Sequence, residues 1–315
     1  MHLLFHEKNQ RFFLLLCAKR RKYAFDAHTK STLRISVVQA SAKKALAWRI
    51  NMSLLNVDSI CAGYGKKRIL DNISFTLDSR TLVGIVGANG SGKTTLLKSI
   101  CGILPHTGTC TLHTVPLETL SVRKIAQLCS YIPQRSGISI DISALDVVLM
   151  GFNPQLGILE HPSECMKQTA RNALCQVGLS GMEQMNYMHM SEGQKQLCIL
   201  ARTLVSDSKL LLLDEPESAL DFRFRYQMLE LLRTSVRETE RGAIVTLHDP
   251  MLALNYCDKL LVLSEGKLLG MITPNKDSIK YMQQILSKIY GTVSLQQCKN
   301  RSGKEILVML KEDFV

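Results

Sequence analysis

The chain has 315 residues, 46% apolar and 21% charged, an ordinary globular composition with room for one large domain or two modest ones. No apolar run reaches the roughly 20 residues that cross a bilayer, and "FFLLLCA" at 12–18 is followed, not preceded, by Lys19-Arg20-Arg21-Lys22, so neither a spanning helix nor a secretory leader is expected there. The net charge of +12 is uneven: residues 1–51 hold eleven Lys/Arg against two Asp/Glu, which leaves only +3 for the rest and no charge argument for nucleic acid as a partner.

Residues 1–51 show no strand–turn–helix grammar. Three readings compete for them: a disordered basic arm, a membrane-surface anchor, or a start site placed upstream of the true one, which is favoured because a domain opens at Met52. From there "MSLLNVDSICAGYGKKRILDNISFTL" alternates like strands with a glycine-containing turn, so antiparallel β elements are expected near the start. "LVGIV" (82–86) is a short buried strand, and "LCSYIPQ" (128–134) another. Residues 141–189 lack strand signals and read as helices. "KLLLLDEP" (209–216) and "GAIVTLHDP" (242–250) are apolar strands with charged ends, and "KLLVLSEGKLLGMI" (259–272) is a hairpin about Glu265-Gly266. Continuous apolar strands between helices predict an α/β fold with a mostly parallel sheet covered on both faces. Chemistry should then gather at the carboxyl ends of its strands. The ten cysteines are scattered without a C-x-x-C pair, so reduced thiols serving as small apolar residues in an intracellular protein are expected.

"GANGSGKTT" (87–95) follows a strand and opens a helix. Gly87, Gly90 and Gly92, with Asn89 and Ser91 between and beside them, let backbone N–H groups wrap phosphates. Lys93 adds a point charge, Thr94 offers a hydroxyl to Mg²⁺, and Thr95 begins the helix with it. Asp214 ends an apolar strand where the Mg²⁺ shell belongs, and Glu215 beside it is placed as general base toward water. His248, one strand on, is placed to hold the γ-phosphate and the attacking water, and Gln134 ends a strand in the same way. "MSEGQKQ" (190–196) reads locally as no more than a capped helix start, S-x-x-[EQ] before leucines at helical spacing.

Taken in order, these stretches resemble the ATP-binding subunit of an ABC transporter over about residues 52–290. Residues 87–95 resemble the family's Walker A, Gln134 its Q-loop, 190–194 its signature, 210–215 its Walker B, 218–221 its D-loop and His248 its switch histidine. The resemblance implies a P-loop NTPase core at about 52–134 and 206–315 with a helical signature subdomain inserted at about 135–205. It implies ATP with Mg²⁺ as cofactors, Gln134 joining Thr94 and Asp214 at the metal, and Tyr64 stacking on adenine. It also implies a head-to-tail dimer in which Ser191, Gly193, Gln194 and Asp221 of one subunit meet the nucleotide of the other. The implied partners are a second copy, integral membrane permease subunits and, indirectly, a substrate-binding protein, with the chain peripheral on the cytoplasmic face of the membrane.

"SYIPQ", "DVVLMGFNP" and the tail "ILSKIYG" resemble importers of iron–siderophore, haem and cobalamin type. The alternatives are a soluble ABC ATPase of the translation or repair type, against which stand the single Walker A and the lack of heptads, and a nucleotide-binding module without turnover. One residue departs from the family: Glu192 stands where the signature has a glycine. An acid suits a helix start and is unwelcome beside a phosphate, so its side chain should point outward.

Overall fold

Alternating apolar residues make β1 (Ser53–Tyr64) and β2 (Lys67–Asp78) an antiparallel hairpin. Leu55 and Val57 are buried on one face; Ser59, at positive φ, inserts an irregularity, and Ile60 and Ala62 resume the buried face one residue out of step. The computed structural model describes residues 53–134, 137–157 and 159–312, so the expectations for 1–51 lie outside them. β3 (Leu82–Val86) and α1 (Lys93–Ile100) follow. β4 (His106–Leu112) and β5 (Val115–Pro116) then return to β1, giving an antiparallel sheet in the order β2-β1-β4-β5.

The chain continues through α2 (Val122–Leu128), β6 (Cys129–Ile132) and the helices α3 (Ala144–Leu149), α4 (Glu164–Gln176) and α5 (Glu192–Val205). Next come β7 (Leu210–Asp214), α6 (Phe222–Glu238), β8 (Gly242–Thr246), α7 (Pro250–Tyr256), β9 (Lys259–Ser264), β10 (Lys267–Ile272) and α8 (Ile279–Tyr290). The main sheet runs β10-β9-β3-β8-β7-β6, parallel throughout except for the β9–β10 hairpin. Every residue of β3, β7 and β8 is buried. Successive side chains of β7 enter different cores. Leu211 and Leu213 join the helices on one face, and Leu210 and Leu212 join α1 and the antiparallel sheet on the other. Among the described residues no helix is long and apolar enough to cross a membrane.

Two expectations need amending. Beyond α8 the chain adds a hairpin, β11 (Val293–Lys299) and β12 (Glu305–Lys311), that was not anticipated. Its turn is organised by Asn300, whose Oδ1 accepts the N–H groups of Ser302 and Lys304. Of the cysteines, Cys101, Cys110, Cys129, Cys198 and Cys257 are buried, and burial pushes the Cys198 thiol up to about 12. Cys165, Cys175 and Cys298 instead lie exposed, on helix and hairpin faces that turn away from either core; Cys17 is outside the described residues.

The β9–β10 turn ties both sheets to the loop after β3. Gly266 donates its N–H to Ser91 O at 3.1 Å and accepts from Asp71 N at 2.9 Å. Its φ is +75°, and a Cβ there would lie 1.9 Å from Ile69 O. Gly266→Ala should therefore lower the unfolding free energy by about 1–2 kcal/mol from the left-handed backbone alone, more from the clash, and weaken ATP binding with it. Urea unfolding and nucleotide titration check this.

Candidate active site

The loop leaving β3 turns tightly enough that only small residues fit. Gly90 and Gly92 have φ of +80° and +103°, and a Cβ on Gly87 would sit 2.3 Å from Leu263 O. Lys93 opens α1 from within this loop. It is buried, and its Nζ donates to Gly87 O at 3.0 Å and Ala88 O at 3.4 Å. Ser91 Oγ is buried, with no hydrogen-bond partner among the described residues. These groups floor a cavity of about 510 Å³. Asn89, Gly90, Ser91, Gly92, Lys93, Thr94 and Thr95 line it, with Tyr64, Lys67 and Ile69 from the β1–β2 hairpin on one side and Gln134, Glu215 and His248 on the other.

Asp214 ends β7 with 2% exposure. Its Oδ1 accepts from Thr94 Oγ1 at 3.0 Å and from Thr246 Oγ1 at 2.9 Å, and its Oδ2 lies 3.4 Å from the Tyr131 hydroxyl. Burial, with Asp214 adding to it, pushes the Tyr131 phenol well above its ordinary range, so it stays a neutral donor. Glu215 follows in the left-handed region at φ +49°, a conformation costing roughly 1–3 kcal/mol for a non-glycine residue. Its N–H donates to Thr246 Oγ1 at 2.8 Å, which helps hold the turn. That turn aims the carboxylate into the cavity. Oε2 accepts from Gln134 Nε2 at 2.7 Å and lies 2.7 Å from His248 Nε2, and Oε1 is 3.9 Å from Lys93 Nζ. His248 is half-exposed, and its backbone N–H donates to Glu217 Oε1 at 2.9 Å. Glu217 is buried, and burial raises its carboxyl above the usual range.

The structure thus brings Gln134, Glu215 and His248 to one carboxylate, with Tyr64 and the glycine loop around the same cavity. Ser191, Gly193, Gln194 and Asp221 do not line it. Ser191 and Gln194 form a complete capping box at the start of α5: Ser191 Oγ accepts from Gln194 N at 3.3 Å, and Gln194 Oε1 accepts from Ser191 N at 2.9 Å. Asp221 caps α6 by accepting from Phe224 N at 3.0 Å. A Cβ on Gly193 would lie 3.3 Å from Ala219 O, so the two cap segments are neighbours. Glu192 faces solvent, 77% exposed, and pairs with Lys195 at 2.9 Å. Sequence reasoning missed Tyr131, Thr246 and Glu217. Thr246 carried a signal, the one hydroxyl in the otherwise apolar "GAIVT".

The family model for ABC transporters matches residues 70–218. The hemin import ATP-binding protein HmuV of Bordetella bronchiseptica is 34% identical over 229 residues, covering 70% of this chain and 86% of that protein. The chain belongs to the ABC transporter family. The iron chelatin transport ATP-binding protein of Helicobacter pylori is 32% identical over 245 residues, 76% of this chain and 93% of that one. A metal-chelate type ABC transporter in an inward-facing conformation superposes with a TM-score of 0.69 at 25% identity, over 82% of this chain and 98% of that one. The chain is accordingly an ABC transporter ATPase subunit, which binds ATP and hydrolyses it to power transport. A translation or repair ATPase is not favoured by these relatives.

Glu217→Ala removes the acceptor of the part-buried His248 N–H and should cost about 1 kcal/mol. Glu217→Gln keeps an oxygen for that N–H and should stay close to the parent. Chemical denaturation of both variants measures the difference.

Proposed function

We propose that this subunit drives import of an iron chelate, haem or cobalamin-type compound, as a head-to-tail homodimer beneath membrane permease subunits on the cytoplasmic face. A separate substrate-binding protein would deliver the cargo. The hemin, iron-chelatin and metal-chelate transporters among the relatives support the cargo class. We take Met52 as the start of the ATPase domain and 135–205 as its helical subdomain. The convergence of Gln134, His248 and Lys93 on the Glu215 carboxylate carries the catalytic reading.

In this reading the N–H groups of the glycine loop and Lys93 Nζ hold the phosphates, and Tyr64 stacks on the base. Glu215 accepts the proton of the attacking water. Gln134 and His248 fix the carboxylate's direction and the water's place. Glu217 sets His248 from beneath through its backbone. The Thr94 hydroxyl and the Asp214 carboxylate are already in contact, and with the Gln134 amide oxygen they would make an all-oxygen donor set, which suits a hard cation such as Mg²⁺. When bound, that ion neutralises charge on the phosphates. The exposed start of α5, which does not line its own chain's cavity, would serve the nucleotide of the second copy through its backbone N–H groups and Ser191 Oγ. Asp221 and its neighbours would lie along the same interface.

Glu215→Gln should retain ATP binding while hydrolysis slows at least about a hundredfold, the range for losing a general base. Nucleotide titration and phosphate release measure both, and unchanged hydrolysis would remove the assigned role. Because Glu192 faces solvent, Glu192→Gly should change ATP-driven dimerisation by less than about tenfold, a limit set by solvent screening; sedimentation with and without ATP checks it.

A further inference from the structure

β4 and the turn after it bring together three side chains that take no part in the nucleotide site. His106 opens the strand, Cys110 lies four residues on, and Glu118 sits in the short helical turn Leu117–Thr119. Between the first two, Gly108 at φ +86° passes so close to β1 that a Cβ would lie 2.4 Å from Ser59 O. The pairing of β4 with β1 shifts at this point, between Asp58 and Cys61. One ligand atom from each of His106, Cys110 and Glu118 lies within 4.8 Å of the others.

The internal contacts of this cluster do not satisfy it. The His106 side chain is only 7% exposed, and among the described residues its buried Nδ1 has no hydrogen-bond partner. His106 Nε2 is 3.7 Å from Glu118 Oε1, too long for a hydrogen bond. Glu118 Oε1 is held in place by the Cys110 N–H at 2.5 Å, which aims the carboxylate at the other two groups. A buried imidazole with an unmet nitrogen calls for an explanation, and a metal ion is the partner that an imidazole, a thiol and a carboxylate can share.

We propose that His106, Cys110 and Glu118 form a binding site for a zinc-class divalent ion, separate from the nucleotide cavity. An N/S/O donor set is too soft for Mg²⁺ or Ca²⁺ and suits Zn²⁺ and its neighbours. Three protein ligands leave a fourth position open. His106 also borders a surface cavity of about 410 Å³, whose walls also carry Lys66, Lys67 and Arg68. Coordination needs the thiolate, so Cys110 Sγ releases its proton to solvent as the ion binds. The inference stands independently of the transported compound.

Cobalt titration of the full chain without nucleotide tests it. The expected result is a thiolate-to-cobalt charge-transfer band that saturates near one ion per chain and is displaced by zinc. Cys110→Ser removes that band, and His106→Gln and Glu118→Gln each lower affinity at least about tenfold. Zinc also raises the thermal midpoint of the parent chain but not that of Cys110→Ser. No band in the folded parent, or a band that survives Cys110→Ser, overturns the proposal. Should Cys110→Ser fail to fold, an unchanged affinity in both His106→Gln and Glu118→Gln overturns it equally.

Discussion

The carboxylate of Asp214, drawn on by hydroxyls from three different elements, is the constraint on which the site rests. β7 is apolar on both faces, so sliding it by one residue would exchange Leu210 and Leu212 for Leu211 and Leu213 without exposing any of them. Hydrophobic burial alone therefore cannot set its register. The polar end can. Thr94 reaches Asp214 from α1, Thr246 from β8 and Tyr131 from β6. A slip in β7 would strand a carboxylate among leucines and leave buried hydroxyls without partners, a larger penalty than any packing change.

With Asp214 located, the geometry of Glu215 follows. The chain must leave the sheet at once, and the left-handed turn at Glu215 does this, with Thr246 holding its N–H. The same hydroxyl thus serves both acids. The turn sends the second carboxylate into the cavity, where Gln134, His248 and Lys93 meet it. Strain at Glu215 is tolerable here because the strands on either side determine the backbone. The start of α5 was built by a different rule. Its capping box is complete within the chain, so it needs nothing from the cavity and remains free to face another molecule.

Legibility in the sequence tracked locality. The glycine loop, the capped α5 start and the β9–β10 hairpin are each contiguous, and their physics is carried by neighbours a few residues apart. Their local structure could be read directly, whereas the role of the α5 start came only from the resemblance. The parallel sheet was readable from uninterrupted apolar runs, but its strand order was not, because order depends on crossovers. Tyr131, Thr246 and Glu217 are ordinary residues until the strands are aligned. The β11–β12 hairpin was readable, since "VSLQQCKNRSGKEILVMLK" has a polar turn between extended segments, and it lay beyond the part that resembled the family. The exposed cysteines show the limit of composition: scatter argues against pairing and says nothing about which face a thiol occupies.

The central claim is that one chain's cavity is completed by another chain's α5 start. Mixing two inactive variants tests it most directly: Lys93→Ala, with a damaged glycine loop, and Ser191→Arg, with a blocked signature. If sites are shared across subunits, the mixed dimer contains one intact pairing, and mixing restores ATP hydrolysis that neither variant has alone. If the site lies within one chain, the mixture is no more active than its separate components, and the account is wrong.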